Sequence, residues 1–192
     1  MMSKRVLVIV GHPSTDSFCA ALADNYVETA IGAGQDVRVL YLGDLCFDPV
    51  LHEGYNRIQP LEPDLLKAQV DITWAEHLVL VFPVWWGGVP ALLKGFFDRI
   101  LLPGFAFSYR KGKAFPEKLL LGRSAYLLVT MDTPPWYYKW VYRMPALHQM
   151  RKTTLAFCGI KPVATLTFGP ILDSTAKQRD NWLGQARKLA IK

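Results

Sequence analysis

The chain has 192 residues, of which 51% are hydrophobic and 20% are charged. A chain of this length and composition can bury a substantial core, so disorder is excluded as its main state and one domain covering residues 1–192 is expected. The net charge of +6 favours anionic ligands, but the cations are spread along the chain apart from a cluster at 110–113, so nucleic acid is not an expected partner.

The first predicted element is a strand. The run "RVLVIV" from Arg5 to Val10 is short and apolar and ends at Gly11, which indicates a strand buried on both faces. The run is shorter than the roughly 7–15 apolar residues of a secretion signal, and no small-residue cleavage site follows it. The three cysteines have neither disulfide-framework nor zinc-ligand spacing. We therefore expect a cytoplasmic protein without a metal site.

A loop and a helix follow this strand. The loop "GHPSTDSF" is rich in turn and cap residues, and a helix is predicted from about Ser17 to Ala33, with Asp16 or Ser17 as its N-cap and Gly34 as its stop. The free backbone amides at the start of such a helix attract phosphate. Because the loop lacks the glycine patterns of dinucleotide and nucleoside triphosphate sites, a simple capped helix is the alternative interpretation.

The next elements are a second strand, "DVRVLYL", and a helix from Pro63 to Ala75. The helix has Pro63 in its first turn, and its spacing predicts that four apolar side chains share one face. These side chains are Leu65, Leu66, Val70 and Trp74.

The longest uncharged stretch extends over sixteen residues, from Leu78 to Leu93. A membrane-spanning helix needs about 20 apolar residues, and prolines and glycines interrupt this shorter stretch, so no membrane span is expected. Instead, "HLVLVFPV" predicts a third strand and "PALLKGFFDRIL" a helix that starts near Pro90. The glycine-rich turn between them, with Trp85 and Trp86, is expected to line a site.

The second half of the chain continues the alternation of strands and helices. Phe105, Phe107 and Tyr109 alternate along "GFAFSY" before a basic turn, which predicts a hairpin strand. Strands are predicted at 125–130 and 163–169, and helices near 146–158 and 174–191. Apolar strands alternating with helices predict an α/β fold, a doubly wound, five-stranded parallel sheet with helices on both faces.

Three loops are expected to meet at one edge of this sheet, because parallel strands have their carboxyl ends on the same side. The loops follow the first, third and fourth strands. The second of them carries two tryptophans, and the third carries Trp136, Tyr137 and Tyr138 behind two prolines. Paired indoles also occur in protein cores, but this many aromatic residues on loops favour a planar ligand.

Three motifs resemble a known family. They are "GHPSTDSF" at 11–18, "FPVWWGGVPALLKGFFDRI" at 82–100 and "GFAFSY" at 104–109. With them nearly the whole chain resembles the flavodoxin-like NAD(P)H:quinone oxidoreductases, the group that contains DT-diaphorase and the ancillary subunits of glutathione-gated potassium efflux systems. The resemblance implies a flavodoxin-like fold and a flavin site.

The resemblance assigns site residues position by position. It implies that one group lies along the flavin phosphate and ribityl chain: His12, Ser17, Phe18 and Cys19. A second group would follow the isoalloxazine edge: Pro83, Val84, Trp85, Trp86 and Gly87. A third group would meet its other polar edge: Thr130, Met131, Asp132 and Tyr138, with Tyr138 also as the catalytic residue. The chain departs from relatives in three places. Relatives commonly have Asn at Cys19, and the mammalian enzymes have a Thr-Gly-Gly loop where "MDTPP" stands at 131–135 and a histidine where Met144 stands.

The implied activity is transfer of hydride from NADPH or NADH, by way of a bound flavin, to a quinone-like acceptor. FMN is the expected flavin and FAD the alternative. Phe107 and Tyr109 are implied to bind substrate in the pocket of a partner subunit, which predicts a homodimer. The alternatives are a nitro- or azoreductase, and a regulatory flavoprotein subunit associated peripherally with a membrane transporter. An acidic electron carrier is disfavoured by the positive net charge.

Overall fold

The computed structural model describes residues 3–113 and 115–192. Its strands are β1 (Arg5–Val10), β2 (Asp36–Tyr41), β3 (His77–Pro83), β4 (Phe107–Ser108), β5 (Glu117–Lys118), β6 (Ser124–Thr130) and β7 (Lys161–Phe168). Its α-helices are α1 (Phe18–Gly32), α2 (Pro63–Trp74), α3 (Ala91–Ile100), α4 (Pro135–Trp140), α5 (Pro145–His148), α6 (Ala156–Cys158) and α7 (Ala176–Ala190). A π-helical segment (Gln149–Leu155) joins α5 to α6.

The sheet has five parallel strands in the order β2-β1-β3-β6-β7. The chain therefore leaves β1 in one direction to form β2 and returns to the other side of β1 to form β3. Ligands of open α/β sheets bind at such a reversal, outside the carboxyl ends of the strands. Strands β4 and β5 form a separate antiparallel pair, which confirms the predicted hairpin.

Two apolar layers cover the sheet, because successive side chains of a strand point to opposite faces. On one face Val6 and Val8 of β1 pack in a cluster with residues of α1 and α7. On the other face Leu7 and Ile9 pack in a cluster with residues of α2 and α3. The apolar stretch 78–93 forms a buried strand, a turn and the start of α3. No helix within residues 3–113 and 115–192 combines the length and apolar character needed to cross a membrane.

The prediction that Leu65, Leu66, Val70 and Trp74 share one face of α2 is wrong in part. Leu66 and Val70 are exposed. The buried positions of this helix are Leu65, Ala68, Asp71 and Ile72.

An ion pair explains why α2 buries a different face from the one that its apolar spacing suggests. Arg38 of β2 donates to Asp71 Oδ1 at 2.7 Å, and its guanidinium lies 4.0 Å from the ring centroid of Trp74. A buried carboxylate needs a charged or hydrogen-bonding partner, so Asp71 faces Arg38 on the edge strand β2. The face of α2 that contains Asp71 is buried as a result. Hydrophobic spacing alone does not reveal a charged residue on a buried face.

A buried arginine holds the long loop between β2 and α2. The side chain of Arg99 in α3 is fully buried and donates to the carbonyl oxygens of Asp48 and Pro60, the latter at 2.9 Å. It also pairs with the Glu62 carboxylate at 2.9 Å. Gly95, one turn earlier, permits this close approach, because a Cβ there would lie 2.5 Å from Pro49 Cβ. Asp48 and Pro60 of the loop are therefore both held by α3.

Candidate functional site

A cleft of about 150 Å³ lies at the carboxyl ends of β1, β3 and β6. It is lined by His12, Ser17, Phe18, Cys19, Pro83, Val84, Trp85, Thr130, Met131, Asp132 and Ile171. The three loops predicted to converge thus do meet. Of the predicted cofactor residues, Trp86, Gly87 and Tyr138 lie outside this cleft.

The start of α1 suits an anion. Ser17 is the N-cap, with its Oγ accepting from the Ala20 amide at 3.2 Å. The amides of the first helical turn have no acceptor within the helix, and this turn contains no acidic residue. Asp16 is exposed and is not part of the cleft lining, so its carboxylate does not compete for the site. The positive end of the helix is therefore available to a phosphate.

His12 offers a hydrogen-bond donor beside this helix end. Its Nδ1 atom lies 3.0 Å from the amide nitrogen of Ser14, and its ring packs edge-on against Trp85 with centroids 5.6 Å apart. In the tautomer in which Nδ1 accepts the Ser14 amide proton, Nε2 carries the ring proton. His12 can then donate to an anion without being charged itself.

Cys19 joins α1 to β6 at the floor of the cleft. Its Sγ atom lies 3.2 Å from Thr130 Oγ1, and both side chains are buried. Burial raises the pKa of the Cys19 thiol to about 11. The thiol is neutral at physiological pH, so it adds no negative charge beneath a phosphate.

The turn after β3 forms one wall of the site. Trp85 and Gly88 exchange two backbone hydrogen bonds of 3.1 and 2.9 Å, and the two residues between them have positive φ angles, 51° for Trp86 and 76° for Gly87. Non-glycine residues adopt such angles rarely, and strained residues cluster at functional sites. Among the described residues, the amides of Trp86 and Gly87 donate no hydrogen bond. The Trp86 side chain is fully exposed.

Tyr138 supports this turn from beneath. The sequence predicts a loop here, but Pro135 begins the short helix α4, and Tyr138 in that helix is only 1% exposed. Its hydroxyl donates to the Gly87 carbonyl at 2.9 Å and accepts from the Ala146 amide at 3.0 Å. Burial raises its pKa. The catalytic role stays a prediction, whereas these contacts position the turn.

The segment after β7 closes the cleft on its other side. The Ile171 amide donates to the Met131 carbonyl at 3.2 Å, and the Leu172 amide donates to Asp132 Oδ1 at 2.9 Å. Gly169 is required for this contact, because a Cβ there would lie 2.3 Å from the Met131 carbonyl oxygen. Ile171 is a lining residue that sequence reasoning missed, since nothing in its local sequence differs from an ordinary loop.

Arg179 is a second residue missed from the sequence. Its guanidinium lies 5.8 Å from the ring centroid of Phe18 and donates to the Ile171 carbonyl at 3.2 Å. Its Nε atom also donates to Ser174 Oγ at 2.8 Å. Arg179 thus places a positive charge beside the start of α1. No signal in the sequence identifies it, because its contact with Phe18 joins distant parts of the chain.

A wider cleft of about 540 Å³ lies beyond the turn after β3. It is lined by Val84, Trp86, Gly87, Thr133, Tyr142 and Pro145. Val84 lines both clefts, so the two adjoin at the turn. The indole and phenol rings of this lining suit a flat ligand.

The predicted substrate residues lie elsewhere on the same chain. Phe107 is buried, Tyr109 is exposed, and both line a cavity of about 280 Å³ with Tyr55 and Phe157. This cavity shares no lining residue with the two clefts at the sheet edge. The hairpin and the predicted cofactor residues are therefore not brought together within one chain.

Comparison with known proteins agrees with this topology. Residues 4–189 match a family model described as a flavodoxin-like fold. The chain belongs to this family. The resemblance noted in the sequence and the predicted fold class are thereby confirmed.

Named relatives cover most of the chain. An uncharacterized NAD(P)H oxidoreductase of Haemophilus influenzae is 31% identical over 90% of this chain and 88% of its own. The mouse ribosyldihydronicotinamide dehydrogenase [quinone] is 27% identical over 98% of this chain and 92% of its own. Among solved structures, the NAD(P)H:quinone oxidoreductase of Methanothermobacter marburgensis is 25% identical, with a TM-score of 0.84 over all of this chain and 99% of that one.

Proposed function

We propose that this chain is a flavin-dependent NAD(P)H oxidoreductase that passes two electrons to a quinone-like acceptor. One observation carries the proposal: at the strand reversal between β1 and β3, a helix start suited to an anion adjoins an aromatic turn with free amides. The names of two relatives, an NAD(P)H oxidoreductase and a ribosyldihydronicotinamide dehydrogenase [quinone], support the same activity. The family match over 4–189 supports one flavin-binding domain.

The residues of the cleft fit a flavin mononucleotide. Ser17, His12 and the α1 amides would hold its phosphate, with Arg179 supplying charge. The free amides of Trp86 and Gly87 would hold the polar edge of its ring system, and Trp85 would flank it. When bound, the flavin accepts hydride from the donor and gives it to the acceptor. FMN is our choice over FAD because the donors of this cleft and of the adjoining turn after β3 account for one phosphate and one planar ring.

The nicotinamide and the acceptor would both use the wider cleft beside Trp86. Its aromatic lining would orient flat rings, and because donor and acceptor would share one space, the oxidised donor would leave before the acceptor enters. Tyr109 would reach this space from a second copy of the chain, since it does not line the clefts of its own chain. The functional unit is accordingly a homodimer, and the free cysteines are in keeping with a cytoplasmic location.

A flat azo or nitroaromatic acceptor is the second candidate, because the exposed Trp86 indole favours any planar aromatic ring. Steady-state reduction of a quinone, an azo dye and a nitroaromatic by the flavin-loaded protein, with NADPH or NADH, ranks the acceptors. The flavin released on denaturation, separated by chromatography, distinguishes FMN from FAD. Absence of flavin binding, or of NAD(P)H oxidation by the loaded protein, would refute the proposal. Recovery with membranes would instead favour a transporter subunit.

A further inference from the structure

A group of cations lies next in sequence to Tyr142 and Pro145, which line the wider cleft. Arg143, Met144, Leu147, His148, Arg151 and Lys152 line a separate cleft of about 170 Å³, here called the cation cleft. Its lining contains no carboxylate. The charged and imidazole side chains all belong to exposed residues, so a ligand in solution can reach them.

These cations are not neutralised by the protein. Within residues 3–113 and 115–192, Arg143, Arg151 and Lys152 form no ion pair and donate no side-chain hydrogen bond. Other surface cations of this chain do pair, such as Lys94 with Asp98 and Arg110 with Glu117. Like charges held close together repel one another, so a bound anion would relieve the cluster.

The backbone of this region is held in an uncommon conformation. Arg143 and Met144 have positive φ angles of 59° and 52°, although neither is glycine. The pair is fixed by a hydrogen bond from the Met144 amide to the Tyr138 carbonyl at 3.1 Å and by one from the His148 amide to the Met144 carbonyl at 2.9 Å. The π-helical turns that follow carry Arg151 and Lys152. Strained backbone and π-helical turns are both enriched at functional sites.

The cation cleft adjoins the wider cleft through four consecutive residues. Tyr142 and Pro145 line the wider cleft, and Arg143 and Met144 line the cation cleft. A ligand with a flat ring at Trp86 and an anionic extension can therefore cross this segment and place its anionic groups among the cations. A reduced nicotinamide dinucleotide has this combination of a planar ring and phosphates.

We propose that the cation cleft binds the phosphate groups of the nicotinamide dinucleotide donor and makes this chain selective for NADPH. The inference rests on the proposed function and adds the donor's chemical class to it. Arg151 and Lys152 recognise the added charge of the ribose phosphate that NADPH has and NADH lacks. A donor without phosphates, such as reduced nicotinamide riboside, gains nothing from the cleft.

The test compares the double variant Arg151→Gln/Lys152→Gln with the control Lys67→Gln/Lys188→Gln, which removes the same charge from exposed positions on α2 and α7. The quantity measured is kcat/KM for NADPH, NADH and reduced nicotinamide riboside with one quinone. We expect the cleft variant to lose at least about tenfold for NADPH, less for NADH and nothing for the riboside. The control should match the wild type for all three donors.

A binding measurement provides a readout without turnover. Calorimetry with adenosine 2′,5′-bisphosphate should detect binding to the wild type and to the control, and at least about tenfold weaker binding to the cleft variant. Unchanged bisphosphate binding, or an equal loss for all three donors, would overturn the inference while leaving the oxidoreductase function intact. Oxidation of none of the donors by the wild type would instead refute the proposed function itself.

Discussion

The Nδ1 atom of His12 forms a hydrogen bond within its own loop, and its Nε2 atom is available to a ligand. Because a hydrogen bond to a charged group contributes about 1.5–3 kcal/mol, His12→Ala should raise the dissociation constant of the flavin roughly 10- to 100-fold. Fluorescence titration of the unliganded protein measures this constant. His52→Ala is the matched control, since His52 is exposed and pairs with Asp48 at 2.7 Å outside the cleft. Equal affinities in all three proteins would show that His12 does not contribute to flavin binding.

His77 makes folding sensitive to acid. It is fully buried with Nδ1 2.7 Å from Ser124 Oγ, and burial, assisted by Lys4, lowers its pKa to about 3 from an ordinary value of 6.5. Between these values the unfolded chain binds a proton that the folded chain does not, so stability contributed by neutral His77 is lost as the pH falls from 6.5 towards 3.

The variant His77→Gln tests this dependence. It should be less stable than the wild type at pH 7, but the difference should shrink by about 2 kcal/mol at pH 4.5, because the glutamine does not titrate. Urea unfolding at both pH values measures the free energies, and His52→Gln provides an exposed control. A difference that stays constant with pH would show that protonation of His77 does not contribute.

The residues at the ends of the strands could be predicted because sheet topology fixes where those ends meet. Topology predicts that the loops carrying His12 and Thr130 meet, while the resemblance to the family singled out these residues and Cys19 of α1, and all three line one cleft. Tyr138 could not be placed in this way, since its burial depends on α4, which begins at a proline that equally suits a stiff loop. Arg179 is far along the chain from Phe18, and sequence spacing contains no information about that contact.

At the scale of elements, the turn after β3 and the hairpin should have separable roles. Trp86→Ala removes the indole but leaves residue 86 with its positive φ angle. The free energy of flavin binding should therefore weaken by about 0.5–1.5 kcal/mol, which is roughly 2- to 10-fold in affinity. Tyr109→Ala should leave flavin bound and raise KM for the quinone. Flavin titration and steady-state kinetics measure both effects. Trp140→Ala, which removes an exposed indole outside the clefts, should change neither.

An outcome in which both Trp86→Ala and Tyr109→Ala release flavin would contradict the separation. So would unaltered quinone kinetics in Tyr109→Ala with its flavin fully bound. The first result would mean that the turn and the hairpin both hold the flavin, and the second that the cavity beside the hairpin does not face a neighbouring flavin.

Element positions followed from the sequence more readily than element orientations. The apolar runs of β1 and β3 identify strands buried on both faces, and both are confirmed. The helix expected near 146–158 is present as helical structure, but its central turns are π-helical, which apolar spacing cannot distinguish from α-helix. The orientation of α2 depends on Asp71 and its partner in a distant strand.

At the scale of the whole molecule, a homodimer with shared sites makes an unusual prediction. Mixing unfolded Trp86→Ala and Tyr109→Ala chains and refolding them together should give more activity, at limiting flavin and quinone, than the two variants refolded separately. In a mixed dimer one site combines both defects, while the other combines an intact turn with an intact hairpin. Sedimentation should give twice the chain mass of 21.7 kDa. Activity equal to the sum of the two separate variants would show that each chain completes its own site.

The buried Arg99 holds part of the loop between β2 and α2 against α3, so the tip of this loop does not contribute to the packing of the sheet. Because the Arg99 guanidinium holds both Asp48 and Pro60, residues 51–59 can change in length or sequence while Asp48, Pro49 and Pro60 keep their contacts with α3. Tyr55 lies in this interval and lines the cavity beside Tyr109. Substitutions in this short segment could therefore change the cavity beside Tyr109, and with it the range of acceptors, without altering the residues of the cleft at the sheet edge.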